Sequence, residues 1–166
     1  MAEQWMEYIG QVLNKMDFGT GQWTEEGVCE AAAIYGLDGS AWAWSPNFPE
    51  LTTYEFTIEG MGDEKEVVNV DEIQCAIGAG QGNRKPSAAG VRLGNEKYMF
   101  VNHDEESKIT QLSKSGGGAA IGVCGTCIII ATYVKEKPKT TGGFMTAGQC
   151  AEQVQIMCAF LKEQGF

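Results

Sequence analysis

Six cysteines and one histidine are the residues of this chain that would form a zinc site or a thiol–imidazole catalytic pair. Cys124 and Cys127 have the C-x-x-C spacing of half a zinc site, but a second pair is missing and His103 is the only histidine. The spacing instead favours a turn between two strands, with Gly125 and Thr126 at its tip and the two thiols facing each other. We therefore expect neither a metal ion nor a cofactor.

Patterns typical of catalysis are also missing. His103 lies in the polar run 102–106, which is typical of an exposed turn and not of a preorganised pocket. The glycine-rich runs 78–82 and 116–118 lack the spacing of a phosphate-binding P-loop or of a dinucleotide-binding loop. Tight turns account for these runs, and the sequence predicts a binding protein without catalytic residues.

Aromatic residues near the two ends of the chain could meet in one surface. Trp5 and Tyr8 are three residues apart and share one face of a helix, Trp42 lies mid-strand, and Phe160 and Phe166 come last. If the two end helices pack side by side, these rings form an exposed apolar patch, which is typical of a binding site. Flat rings suit a polyproline II segment, because they stack on proline rings and the Trp and Tyr polar hydrogens reach its carbonyls.

Hydrophobic spacing predicts helices at both ends and strands between them. The first helix has an apolar stripe at three- and four-residue steps before residues 19–21, formed by Trp5, Tyr8, Ile9, Val12, Leu13 and Met16. The last helix opens near Thr146 and closes at Gly165. Strands are predicted at residues 30–35, 40–44, 97–103, 108–112, 119–124 and 126–134. The fold class is α+β, with a central antiparallel sheet in a single domain of residues 1–166.

Two segments interrupt this regular spacing. Residues 53–59 alternate apolar and polar side chains and are followed by a return strand at residues 66–70, which predicts a β-hairpin. Asp71 then caps a short helix that runs into the glycines at residues 78–82. The stretch 135–143 is basic and is expected to be flexible.

Charge and hydropathy argue against nucleic acid as a partner and against a membrane-spanning segment. The net charge of -10 argues against nucleic acid, whose binding needs basic residues to neutralise phosphates. The first residues do not resemble a signal peptide, and the longest apolar run, residues 127–131, is far shorter than the roughly 20 residues of a membrane span. A cytoplasmic location is expected.

The order and spacing of several short motifs resemble the profilin family. The motifs occupy residues 5–8, 33–35, 39–43, 90–94, 97–99, 114–118, 148–150 and 160–166. The resemblance implies an actin-monomer-binding, cytoskeleton-associated protein, with both end helices on one face of the sheet and a groove between them for proline-rich proteins such as formins. Trp5, Tyr8 and Trp42 match the groove aromatics, while Phe160 and Phe166 replace Tyr, His or another apolar residue and imply a groove with fewer hydrogen bonds.

The resemblance also implies an actin surface on the side opposite the groove. The matching residues are Lys97, Met99, Asn102, Lys114, Ile121, Thr146, Gly148, Glu152 and Ile156. Residues 110–112 occupy a turn that often carries Arg or Lys in the family, and Glu152 lies near a position that can be basic. These departures weigh against actin binding, whereas Trp5, Tyr8 and Trp42 match the groove. They also weigh against the phosphoinositide binding that the resemblance implies.

The chain is longer than a typical member of the family, with insertions at about residues 52–68 and at residues 138–143. The second insertion adjoins the expected actin surface. Two alternatives stay open: an adaptor that binds proline-rich segments without actin, and a thiol-based redox or metal protein that uses Cys124 and Cys127. Actin binding tests the first alternative. Zinc content, and ligand binding after alkylation of the thiols, test the second.

Overall fold

The computed structural model describes residues 3–14, 16–17, 22–23, 27–59, 64–135, 138 and 143–166. The predicted flexible stretch at residues 135–143 falls largely outside this part of the chain. In chain order the elements are α1 (Glu3–Leu13), β1 (Met16–Asp17), β2 (Gln22–Trp23), β3 (Ala31–Gly36), β4 (Ala41–Trp44), β5 (Thr53–Glu59), β6 (Lys65–Asp71), α2 (Glu72–Gly80), β7 (Val91–Leu93), β8 (Glu96–Asp104), β9 (Ile109–Lys114), β10 (Gly117–Val123), β11 (Cys127–Val134) and α3 (Ala147–Glu163).

Seven of the strands form one antiparallel sheet in the order β4-β3-β11-β10-β9-β8-β7. The central strands β10 and β11 are buried along most of their length, because helices cover both faces of the sheet. All six predicted strands are present, and the expected α+β fold is confirmed. Strand β7 was not predicted, since its three residues are too few to show an alternating pattern.

The helices divide between the two faces of the sheet. On one face, α1 lies over β3 and β4 while α3 lies over β9, β10 and β11, and the two helices contact each other. On the other face, α2 packs on β7 and β10. A hydrophobic core fills each side of the sheet. The expectation that both end helices share one face is therefore confirmed.

The first helix ends earlier than its apolar stripe predicts. It stops at Leu13, and Met16 belongs to the short strand β1, so the prediction that Met16 continues the helical stripe is wrong. The side chain of Asn14 donates to the Gly10 carbonyl at 2.9 Å and accepts from the Gly27 amide at 3.1 Å. These bonds cap the end of α1 and hold Gly27, which shortly precedes β3, beside it.

The last helix has the predicted ends. The Thr146 hydroxyl accepts from the Gln149 amide at 3.2 Å and caps its N-terminus. After Glu163 the chain passes through Gly165, whose φ of 93° is a conformation that glycine adopts without strain. The Gln153 side-chain amide donates to the carbonyls of Gln11 and Asn14, which joins α3 to the end of α1.

The predicted hairpin is present as a separate two-stranded sheet, β5 with β6. Its inner face carries apolar side chains that pack beside Val70, Cys75 and Ala89. Asp71 caps α2 as expected, since its carboxylate accepts from the Gln74 amide at 3.1 Å. That the hairpin is an insertion relative to other members of the family stays a prediction.

A buried carboxylate fastens this hairpin to the body of the domain. Glu72 is 1% exposed, and it accepts from the Thr52 amide at 3.0 Å, the Tyr54 hydroxyl at 3.0 Å and the Asn95 amide at 2.7 Å. Arg92 donates to the Tyr54 hydroxyl at 3.1 Å. Among the described residues, buried side-chain nitrogen and oxygen atoms all have hydrogen-bond partners. The cost of burying this charge is therefore offset by a complete set of donors.

Glycine at position 122 allows α3 to approach the sheet. A Cβ atom there would lie 2.5 Å from the Cys158 Sγ, 2.7 Å from the Val154 Cγ1 and 2.9 Å from the Ile109 Cδ1. We expect Gly122→Ala to lower the free energy of unfolding by about 2 kcal/mol, because the methyl group overpacks this contact. Urea unfolding would measure the loss.

Gly10 provides a control for the same substitution. It lies in α1, and a Cβ atom there meets nothing within 4 Å. Gly10→Ala should raise stability by up to about 1 kcal/mol through helix propensity. Equal stability of the Gly122→Ala variant and the wild type would contradict the close packing of α3 on β10.

Candidate functional site

Five aromatic rings from α1, β4 and the end of the chain meet at one place, which we call the aromatic platform: Trp5, Tyr8, Trp42, Phe160 and Phe166. The Trp5 ring is central, with centroids 5.4 Å from Tyr8, 5.2 Å from Trp42 and 4.9 Å from Phe166. Tyr8 lies 5.4 Å from Phe160, and Trp42 lies 6.0 Å from Phe166. The structure thus brings together all five residues predicted for the groove.

A β-bulge places Trp42 in the platform. In β4 the register with β3 shifts between Ile34 and Tyr35, which pair with Ala43 and Ala41. The extra residue, Trp42, turns to the α1 side, where Ala43 is also buried. Trp44 pairs with Ala33, which belongs to the core on the α2 side. Strand alternation alone would place Trp42 and Trp44 on one face.

The turn after β10 holds Phe166 in place. The Gly125 amide donates to the Phe166 carbonyl at 3.0 Å, and the Phe166 amide donates to the Leu161 carbonyl at 2.9 Å. A Cβ atom on Gly125 would lie 2.9 Å from the Phe166 oxygen, so a side chain there would displace this contact. Both bonds use the main chain, which leaves the Phe166 ring to pack on Trp5.

The platform is apolar and partly open. Trp5, Trp42, Phe160 and Phe166 are half-buried, while Tyr8 is buried beneath them. The Trp42 indole N–H donates to the Ser40 hydroxyl at 3.1 Å, which in turn donates to Asp38 at 2.6 Å. This bond from Ser40 lowers the pKa of Asp38. The prediction that Trp N–H groups are directed to a ligand is therefore wrong for Trp42, whose N–H is used within the protein.

A second exposed surface lies on the same face of the sheet, beyond α3. Met99 and Asn102 pair with Ser113 and Gln111 on either side of a β-bulge, so both lie on the side that α3 covers only in part. Strand alternation from Met99 places Lys97 on the same side. Met99 is 69% exposed, and its neighbour Val101, which was not predicted, is also exposed. We call Lys97, Met99, Val101 and Asn102 the strand surface. The platform and the strand surface lie on opposite sides of α3.

The residues of α3 predicted for actin divide into two groups. Thr146, Gly148 and Glu152 are exposed at the start of the helix. Ile156 is half-buried. It follows Gln153 by three residues and precedes Phe160 by four, so the three side chains share one face of α3. Gln153 and Phe160 both contact α1. Ile156 therefore lies towards α1 and away from the strand surface.

Two other residues predicted for actin lie on the opposite face of the sheet. Ile121 is 0% exposed, and a Cβ atom on Gly80 of α2 would lie 2.9 Å from its side chain. Lys114 pairs with Glu96 and lies 5.4 Å from the ring of Tyr98, which belongs to the core on the α2 side. The prediction that Ile121 and Lys114 join Met99 on one surface is wrong, because strand alternation separates them.

Residues predicted to be in turns near this surface are in strands. Thr110 and Leu112 are buried in β9, which agrees with the strand predicted at residues 108–112 and shows that the turn implied by the resemblance at residues 110–112 is wrong. His103 lies in β8, and its predicted place in an exposed turn is also wrong. Its Nδ1 atom lies 2.7 Å from the Thr110 hydroxyl, which donates to the Ala79 carbonyl at 2.8 Å. His103 therefore helps to join β8 and β9 to the end of α2.

The turn predicted at the C-x-x-C sequence is confirmed. It follows β10, and the Cys124 amide donates to the Cys127 carbonyl at 2.8 Å. Across the described part of the chain, His, Cys, Asp and Glu do not form a group of three or more suited to a metal ion. Within the same residues, every helix is too short or too polar to cross a membrane.

Comparison with known proteins agrees with this architecture. The sequence model of the family described as Profilin matches residues 4–166. A profilin of Tetrahymena pyriformis is 30% identical over 140 residues, which cover 80% of this chain and 88% of that protein.

Two solved structures share the fold at lower identity. Acanthamoeba castellanii profilin IA has a TM-score of 0.64 and 22% identity, with 98% of this chain and 99% of that chain covered. Mouse profilin IIa, solved in complex with a double repeat from the FH1 domain of mDia1, has a TM-score of 0.57 and 16% identity, with 98% and 99% covered. The match over nearly the whole length, with the helices and sheet arranged as described, shows that the chain belongs to the profilin family.

Proposed function

We propose that this protein binds monomeric actin and docks proline-rich segments of filament-assembly proteins on the aromatic platform. The observation that carries the proposal is the contact of Trp5 with Tyr8, Trp42 and Phe166 at centroid distances of 4.9 to 5.4 Å. Membership of the profilin family, a family of non-enzymatic actin-binding proteins, supports the actin part of the proposal.

The platform suits a polyproline II ligand on physical grounds. Such a segment is already extended, so it loses little conformational entropy when it docks. The half-buried rings of Trp5, Trp42, Phe160 and Phe166 offer flat apolar faces on which pyrrolidine rings stack. The complex of mouse profilin IIa with a formin FH1 repeat supports a formin as the kind of partner.

The position of α3 between the platform and the strand surface allows two ligands to bind together. Actin on the strand surface and on the exposed start of α3 would not cover Trp5 or Trp42. A proline-rich protein at a growing filament end would then hold actin close to that end and raise its effective concentration. In this role the side chains neither make nor break covalent bonds. The protein would act in the cytoplasm, with the cytoskeleton.

The first experiment is a titration of the purified protein against labelled monomeric actin at low and at physiological salt. Saturable binding at micromolar concentration or tighter would support the proposal. Absence of binding at both salts, with polyproline affinity retained, would leave the alternative of a proline-recognition adaptor. That alternative is favoured by Glu152, an exposed acidic residue at the start of α3.

A charged residue at the centre of the strand surface should weaken actin binding without changing polyproline binding. We expect Met99→Asp to weaken actin binding by about tenfold or more. The exposed Met99 side chain would be covered by actin, and a carboxylate in its place would lose its water at a cost in free energy. Polyproline binding should not change, since Met99 is separated from the platform by α3. Isothermal titration with each ligand would measure both effects.

Val67→Asp is the matched control. Val67 is 59% exposed on the outer face of the hairpin, and it undergoes the same chemical change outside the strand surface. It should leave both affinities as in the wild type. Equal actin affinity of the Met99→Asp variant and the wild type would contradict a role for this surface.

A further inference from the structure

Two buried thiols that are distant in the sequence are in direct contact. The Cys124 Sγ lies 3.2 Å from the Cys158 Sγ, and the two residues are 34 positions apart. Their side chains belong to residues that are 5% and 2% exposed. The separation is about 1.1 Å longer than a disulfide bond of about 2.05 Å, so a small shift would allow a covalent bond.

The positions of the two residues in the fold explain this contact. Cys124 begins the turn between β10 and β11, beside the exposed residues Gly125 and Thr126. Cys158 points from α3 onto Gly122, where the missing side chain leaves room for its sulfur atom. The pair thus joins the last helix to an open turn at the end of the sheet.

The surrounding groups favour a thiolate on one member of the pair. Hydrogen bonds from Cys127 and Cys158, together with the charge of Lys162, lower the pKa of Cys124 to about 4. The hydrogen bond to Cys124 and burial raise the pKa of Cys127 and of Cys158, which remain thiols. A thiolate beside a second thiol is the arrangement in which oxidation leads to a disulfide.

Cys75 and Cys150 differ from Cys124, because their surroundings favour the thiol and not the thiolate. The Cys150 thiol donates to the Ala131 carbonyl at 3.5 Å, and the Cys75 thiol donates to the Gly90 carbonyl at 3.9 Å. The hydrogen bond with Cys29, together with burial, raises the pKa of Cys150, and burial raises the pKa of Cys75. These thiols are hydrogen-bond donors in the core.

We propose that Cys124 and Cys158 are a modification site, at which hydrogen peroxide produces an intramolecular disulfide. The Cys124 thiolate attacks one peroxide oxygen, the O–O bond breaks, and the hydroxide that leaves takes up a proton to become water. The Cys124 sulfenic acid then reacts with the Cys158 sulfur, which loses its proton, and the hydroxyl group leaves as a second water. Two thiols and one peroxide give one disulfide and two waters.

Peptide mapping of the oxidised protein tests this proposal. Trypsin separates the two cysteines, since residues 115–135 contain Cys124 and residues 140–162 contain Cys158. After peroxide treatment and alkylation of the remaining thiols, we expect these peptides to be joined, with a loss of about 2 Da for two hydrogen atoms. Fragmentation of the joined peptide in wild-type protein should assign the bond to Cys124 and Cys158 without any substitution.

Single variants provide the second test. Cys124→Ser and Cys158→Ser should abolish the joined peptide, whereas Cys127→Ser and Cys150→Ser should keep it. Circular dichroism would show that each variant is folded. A wild-type protein that yields only separate peptides, or a bond that fragmentation assigns to Cys127 or Cys150, would overturn the proposal.

Discussion

Replacing Trp5 with alanine is expected to weaken polyproline binding by about 2 kcal/mol or more, which is about 30-fold in Kd. Trp5 is the ring on which the platform is built, because it contacts Tyr8, Trp42 and Phe166. Its removal takes away stacking area and leaves Phe166 without its main ring contact. Isothermal titration with a proline-rich peptide would measure the loss, and actin binding should be largely intact.

Trp44 provides a matched control for this prediction. It lies on β4 close to Trp42 and is 41% exposed, but the bulge directs it to the other face of the sheet. Trp44→Ala should therefore keep the polyproline affinity of the wild type. Loss of both actin and polyproline binding in a folded Trp5→Ala variant would contradict two separate binding surfaces.

Glu72→Ala is expected to lower the free energy of unfolding by about 3 kcal/mol or more. The substitution leaves the amides of Thr52 and Asn95 and the hydroxyl of Tyr54 without their acceptor inside the protein. It also leaves the guanidinium of Arg92, which is buried beside Tyr54 and packs on Phe56 at 4.1 Å, without a buried countercharge. Urea unfolding, followed by circular dichroism, would measure the change.

Glu55→Ala is the control for loss of a carboxylate from the same region. Glu55 is exposed on the outer face of the hairpin, and its replacement should change stability by less than about 0.5 kcal/mol. If Glu72→Ala and Glu55→Ala unfold at the same urea concentration, the buried network does not hold the hairpin to the domain.

The regular elements could be predicted because their patterns are local. The three- and four-residue steps in α1 and α3, the alternation in β5 and the cap at Asp71 each involve residues that are close in the sequence. The structure brings the five platform residues together: the helix pattern indicated Trp5, Tyr8 and Phe160, and Trp42 came from the resemblance. Their role in binding stays a prediction.

Features that depend on register or on distant contacts could not be predicted. The bulge at Trp42 follows from the pairing of β3 with β4, and a sequence pattern with period two does not contain it. The resemblance assigns Ile121 and Lys114 to the actin surface, but strand alternation places them on the other face. The contact of Cys124 with Cys158 and the partners of Glu72 join segments far apart in the sequence.

The order of strands in the sheet has a consequence for synthesis of the protein. On its inner side, strand β3 pairs with β11. In this pairing Ala31 of β3 lies opposite Thr132 of β11, which is about a hundred positions later in the sequence. The early strands β3 and β4 therefore cannot join the sheet until Cys127–Val134 has left the ribosome. A chain that ends before this strand would contain Trp5, Tyr8 and Trp42, but it would lack both the strand that unites the sheet and the helix that carries Phe160. Incomplete translation products of this protein would then lack an assembled aromatic platform.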